Sequence, residues 1–407
     1  MTITPRLTTE NLDYVFSIAG RIISESSDRL PASNGEAYSA RLLLNELRNY
    51  CDETSEETFT THLKVGTYLL KILCILLIIS AVIFKIAETN GYVAPVCICT
   101  VLSILIFSVF SYKFFFDGKG LDMFFPKRMS VNIFAKRFAH SQPQNRVVLV
   151  ARADAPKRQR FFLFKTNLTT VLLALCVLGN SFTFCSCIMY LFAGAPENNG
   201  TFSFLSSVSL LFSVIYLLSA LLVNPFKAAS GLSSSIIPAA TLVAIMKQMH
   251  ENNFRYNQTE FCCLIVGSEY SNHAGAYAFA SKYKRIFRDM PTVFIPLEEL
   301  TTSRHLAIFF KDGSGNEGSN DTANIVSDAC ESLSIKAHKE STIVGTSSFT
   351  PFTVHHFASC SLGTSKKHIN KCFSLKDTLS NVSRKTIFDA ANILMETTNY
   401  YDNSRLI

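Results

Sequence analysis

The chain has 407 residues, of which 48% are hydrophobic and only 17% charged, with a formal net charge of +7. Soluble domains average about 25% charged residues, so this balance excludes an ordinary cytosolic globule, and the aliphatic content excludes wholesale disorder. Twelve cysteines are too dilute for a disulfide framework, and those outside the apolar blocks form no C-x-x-C pair.

In chain order, Leu12–Ile23 and Glu36–Tyr50 carry helical periodicity, and Glu57–Leu63 reads as a strand. Two apolar blocks follow, Gly66–Ala87 and Val93–Tyr112, with Lys71 and Lys85 near the ends of the first and placed to snorkel. An alternating run, Met129–Phe138, precedes a buried-strand run, Arg146–Ala151. Leu168–Ala193 and Phe204–Asn224 are the third and fourth apolar blocks. Each block has roughly 20 residues, enough for a helix to cross about 30 Å of hydrocarbon. The last part predicts a small-residue helix (Ser233–His250), a strand (Phe261–Val266), a helix (Asn272–Arg288) and two strands (Thr292–Leu297, Leu306–Phe310). A helix (Thr322–Ser334), a strand (Phe352–Phe357) and a closing helix (Leu379–Tyr400) complete it.

The four blocks form two hairpins whose connections, Glu88–Tyr92 and Gly194–Ser203, hold no Lys or Arg. The segment between the hairpins carries twelve, against Asp117, Asp122 and Asp154 as its only acids. The positive-inside rule then predicts an integral membrane protein of four spans, with both termini and the middle segment cytoplasmic. No charged n-region with a cleavage site opens the chain, so no signal peptide is expected. The Asn199-Gly-Thr sequon sits in a very short external connection and carries little weight. The basic strip fits anionic lipid headgroups; topology alone accounts for it, so no nucleic-acid partner is expected.

Alternating strands and helices with buried strands predict an α/β fold, a mostly parallel sheet with helices on both faces. The pieces 1–65, 113–165 and 227–407 are each too small for that sheet. They read as one domain interrupted by transmembrane hairpins at 66–112 and 166–226.

The segments in this order resemble the di-zinc aminopeptidase and glutamate carboxypeptidase family, the group of aminopeptidase Y and the bacterial leucyl aminopeptidases. Asp28–Phe59 is similar to its first helix and strand, and VVLVARADAP (Val147–Pro156) to the strand ending in His-x-Asp. KAASGL (Lys227–Leu232) resembles Asp-x-x-Ser-Gly, and VGSEYSNHAGAYAFA (Val266–Ala280) the Glu-Glu strand end and its helix. IPLEEL (Ile295–Leu300) resembles the strand of the next acidic ligand, SSFTPF (Ser347–Phe352) a substrate loop, and Cys372–Leu394 the final His motif with its closing helix. The resemblance implies a zinc-exopeptidase fold, interrupted here by the two hairpins.

It also implies a degenerate metal site. Arg152 stands at the first His, Lys227 at the bridging Asp, Tyr270 at the second Glu and Phe373 at the last His; Glu298 alone keeps an acidic ligand. Asp154, beside the first ligand, and Glu269, at the general-base position, survive. Zinc takes carboxylate or neutral imidazole ligands at about 2.0–2.2 Å, and two replacements are cations that repel it. The expectation is therefore no bound metal. Arg152 and Lys227 would form ion pairs with Asp154, Glu269 and Glu298. The protein would be a membrane-anchored pseudopeptidase that binds a peptide or another membrane protein.

The alternatives are a zinc aminopeptidase with atypical ligands, and a purely structural membrane subunit. The metal motif around Phe373 shifts register if His368 is its match. His273, His305, His355 and His356 are candidates for an unrelated metal site, although adjacent His355 and His356 on a strand point to opposite faces. The second hairpin is inserted between Asp154 and Lys227. That insertion predicts a site edge near the cytoplasmic membrane face. No Walker loop and no G-x-S-x-G occur. Gly313–Asp321 reads as a flexible turn, and the spans lack the internal charge of a transporter.

Overall fold

The structure, a computed structural model, describes residues 4–26, 28–62, 65–114, 118, 120–157, 162–163, 166–194, 196, 199–222, 227–301, 305–342, 346–365 and 377–403. Helices α1 (Thr9–Glu25) and α2 (Asn34–Arg48) precede β1 (Glu53–His62). Two long helices, α3 (Val65–Thr89) and α4 (Val93–Phe114), lead through a 3-10 turn (Gly120–Phe124) to β2 (Lys127–Arg137) and β3 (Asn145–Arg152). A short hairpin, β4 (Phe162–Leu163) and β5 (Thr166–Asn167), opens α5 (Leu168–Phe192) and α6 (Gly200–Leu222). A π turn (Leu232–Ile236) starts the remainder, followed by α7 (Ile237–Glu251), β6 (Thr259–Val266), α8 (Ala274–Ile286) and β7 (Thr292–Pro296). Next come β8 (Leu306–Lys311), α9 (Asn320–Ser332), β9 (Ala337–Ser341), α10 (Thr350–Val354), β10 (Ala358–Ser359), β11 (Ser361–Thr364) and α11 (Arg384–Asn403).

The chain divides into two compact units. The α/β unit comprises Met1–Leu63, Pro126–Arg158 and Lys227–Ile407, and the helical unit Lys64–Phe125 and Gln159–Phe226.

The α/β unit is built on a six-stranded sheet of order β1-β2-β6-β3-β7-β10. β6, β3, β7 and β10 run parallel, while β1 and β2 pair antiparallel at one edge. Every residue of β3 and β6 is buried, as apolar runs covered on both faces require. Successive β3 side chains enter opposite cores, as the strand period of two dictates. Val147, Leu149 and Ala151 join α1, α2, α7 and α11 in one core. Val148 and Val150 join a phenylalanine-rich core, where Phe294 stacks on Phe352 and Phe279 on Tyr283, each at 4.2 Å. A second sheet, β11-β8-β9, joins the first through the Leu297–Leu362 bridge.

Phe352–Phe357, expected as a strand, is instead α10 and the turn after it. Pro351 sits in the first helical turn, where its missing N–H costs nothing, and His356 takes a left-handed φ of 67°. β9 was not legible, because AHKES (337–341) has no buried side and reads as surface.

Among the described residues, five helical stretches are long and apolar enough to cross a membrane. One of them, Leu232–Glu251, lies inside the α/β unit and packs on α1, α2, α11 and β3. The other four form the helical unit. There α3 packs on α4 and α6, and α5 on α4 and α6. Its outer surface is apolar: Ile72, Ile75, Ile79, Val82 and Ile86 form an exposed stripe at helical spacing. Helix α3 runs on to Thr89, so Glu88 is helical and buried rather than part of a connection. Lys85, near the end of α3, is held by polar groups. Its ammonium donates to Glu88 at 3.1 Å, to Ser206 Oγ at 3.1 Å and to Ser203 Oγ at 3.2 Å, which ties α3 to α6.

Candidate functional site

The carboxyl ends of parallel strands leave backbone groups pointing outward, and sites of α/β folds gather there. In this chain β3 ends at Arg152, β6 at Val266 and β7 at Pro296, so residues 152–154, 267–273 and 297–300 come together.

The Arg152 guanidinium is buried. It donates to Glu298, to Ser348 Oγ at 2.5 Å, to Tyr270 Oη at 3.1 Å and to Glu299 at 3.4 Å. Glu298 is held in turn by Ser347 Oγ at 3.0 Å and the Ser348 N–H at 3.1 Å. Burial disfavours the charge on Arg152, but the fields of Glu298, Tyr270, Glu299 and Glu269 outweigh it, and its pKa rises. Burial chiefly also drives the Tyr270 phenol up, so it stays a neutral hydroxyl.

Asp154 accepts the Tyr270 N–H at 2.8 Å through one oxygen; its other oxygen is buried without a hydrogen-bond partner among the described residues. Its pKa is raised well above the carboxylate range, by burial first and then by the nearby Glu36. Glu269 receives His273 Nδ1 at 2.5 Å, and His273 Nε2 meets Thr346 Oγ1 at 3.0 Å. Lys227 is exposed and makes no ion pair among the described residues, so it does not join the cluster. Phe373 lies outside the described residues.

Sequence reading did not pick out several buried groups beside these. Glu36 accepts the N–H groups of Ala32 at 2.6 Å and of Ser268, and the Ser130 hydroxyl at 3.1 Å; burial pushes its pKa up to about 7. Asp377 accepts Ser233 N–H and Oγ, both at 3.0 Å, and burial pushes it up to about 6. Burial lowers the Arg29 pKa to about 10, against the pull of Asp154 and Asp377. Glu299 had one signal, its adjacency to Glu298. The others had none, since each comes from a segment remote in sequence.

The turn that carries Glu269 and Tyr270 is strained. Ser268, Asn272 and His273 all adopt left-handed φ, between 50° and 57°, a region that disfavours side chains. Gly275 allows its close return: a Cβ there would stand 2.1 Å from the Gly267 carbonyl and 2.6 Å from Asn132 Oδ1. Neither can yield, because Asn132 itself bridges Gly275 O at 2.9 Å and Gly267 N–H at 3.0 Å. Gly275→Ala is therefore expected to destabilise the α/β unit by about 1–3 kcal/mol, read as a lower thermal midpoint of the full chain.

No family model and no curated protein matches this sequence. Solved structures do match in shape. A leucine aminopeptidase precursor from Bacteroides thetaiotaomicron VPI-5482 superposes with TM-score 0.55 at 8% identity, over 98% of each chain. An aminopeptidase from Aneurinibacillus sp. strain AM-1 gives 0.55 at 10% identity, over 97% of this chain and 94% of its own. An Acidobacteriales bacterium glutaminyl cyclase gives 0.55 at 9% identity, over 99% and 97%. The chain has the zinc-exopeptidase type of fold. At such identities the likeness extends to the fold alone.

The residues present do not fit zinc. Glu298, the acid that the sequence resemblance sets at a ligand position, is bonded to a guanidinium, a hydroxyl and a backbone N–H. The Arg152 guanidinium has no lone pair for a cation and repels one, and the Tyr270 phenol oxygen, kept protonated, already accepts from Arg152.

Proposed function

We propose that this is a membrane-anchored, non-catalytic protein of the zinc-exopeptidase fold. In this reading the four apolar helices of the helical unit span the bilayer and the α/β unit lies on the cytoplasmic side. Its degenerate site serves as a scaffold for a peptide or a neighbouring membrane protein. The observation that carries the reading is Arg152. It stands where the family has its first metal-binding His, and its charge is already neutralised by Glu298 and Glu299. An arginine so placed supplies the positive charge that metal would otherwise bring, which keeps the fold intact without supplying a Lewis acid.

The test is the metal content of the detergent-purified chain by elemental mass spectrometry, with a chelator-treated control and after zinc is added back. The expected result is far less than one zinc per chain, with no hydrolysis of aminoacyl substrates. One or two tightly held zinc ions, with activity lost in Glu269→Gln, would establish a working aminopeptidase instead.

A further inference from the structure

The 3-10 turn after α4 is an amphipathic loop fixed to the end of the helical unit. Lys113, in the last turn of α4, is buried and donates to Asp122 at 2.5 Å and to the Gly118 carbonyl at 3.0 Å. The Gly120 N–H donates to Tyr112 Oη at 3.1 Å. The fold-back needs glycine, since a Cβ at Gly118 would stand 2.3 Å from the Tyr112 ring. Leu121 and Phe125 pack inward on the cluster of Leu69, Leu70 and Leu73, and Phe125 stacks on Tyr68 at 6.5 Å. Met123 and Phe124, between them, face outward and are 72% and 75% exposed.

This arrangement has a cost that water does not return. Two large apolar side chains are held out by a turn that is anchored on either side of them. The turn packs on the first turns of α3 and is bonded to the last turn of α4, so it sits level with the ends of two apolar helices. In a bilayer that level is the boundary between headgroups and acyl chains, where amphipathic segments settle.

We infer that Gly120–Phe125 is an interfacial wedge, with Met123 and Phe124 inserted at the headgroup–acyl boundary of the phospholipid leaflet. It rests on the membrane-spanning reading of the four helices. The wedge would fix the depth of the helical unit at its α3–α4 end and keep this connection from lifting into water.

The chain contains no tryptophan, so a single introduced one reports without background. The probes are Phe124→Trp, with Met123→Trp as a second variant, and Leu105→Trp on the exposed side of mid-α4. Each full-length variant is placed in phosphatidylcholine vesicles brominated at chosen acyl positions. The expected result is blue-shifted emission at 124 and 123, with a quenching depth about 5–10 Å into the layer, while Trp emission from position 105 is quenched most by bromines near the bilayer centre. If position 105 is quenched by mid-chain bromines but 123 and 124 are reached only by aqueous acrylamide, the wedge is wrong and the spanning reading stands. If bromines quench none of the three, both are overturned.

Discussion

Arg152→Met is expected to lower the unfolding free energy of the α/β unit by about 3–5 kcal/mol, the cost of removing one partner from a buried ion pair. The arginine itself is 6% exposed, and Glu298 and Glu299 are 2% and 4% exposed, so water cannot take its place. The loss should be largest near neutral pH and shrink under acid, because the stranded carboxylates can then take up protons. Adding Glu298→Gln to Arg152→Met should restore part of the stability. A double-mutant cycle read by denaturant unfolding of the full chain in detergent measures that coupling. Arg152→Lys keeps a charge but loses the fork that reaches Glu298, Glu299, Tyr270 and Ser348 at once, so an intermediate loss is expected. A loss within about 0.5 kcal/mol for Arg152→Met, the range of an ordinary surface substitution, would mean that the guanidinium does not hold this edge together.

The second large effect is on pH. Glu36 rises from 4.5 to about 7 and Asp377 from 3.8 to about 6, both chiefly by burial. A raised carboxyl keeps its proton in the folded chain after the unfolded chain has released it. Its stabilisation is therefore full below the unfolded value and is lost as pH climbs through the folded one. Stability should fall from about pH 4 to about pH 7, by on the order of 3 kcal/mol for each group at 1.36 kcal/mol per pKa unit. Asp154 shifts in the same direction and extends the trend. Amide exchange of β3 and β6 in the full chain at pH 5 and pH 8 reads the effect on the α/β unit. Asp377→Asn should flatten the slope, because its amide oxygen still accepts from Ser233. A stability that rises over this window would show that these acids are ionised in the folded chain.

Much of the fold was legible in the residues themselves. VVLVA and FCCLIV are unbroken apolar runs, which only strands covered on both faces can bury, and so they announced a parallel sheet with helices on either side. The four apolar blocks announced four long helices by length alone. Arg152 and Tyr270 were placed together by the resemblance, and the geometry joins them at 3.1 Å. Lys227 was expected beside them, but motif order gives no side-chain direction, and its position directly after the fourth block is satisfied equally by exposure.

What the sequence by itself determined is local and periodic: the buried strands, the apolar helices and the basic middle segment. Only the tertiary structure decided which charges meet. Arg152 draws its partners from the turn after β6, from the segment after β7 and from the Ser347–Ser348 turn, 118 to 196 positions away in the chain. Glu36 reaches Ser268 across 232 positions. Pairings of that span follow from strand order and crossover handedness, which no periodicity records. The same holds for α10, where Phe352, read as the start of a strand, sits in a helix and stacks on Phe294 at 4.2 Å.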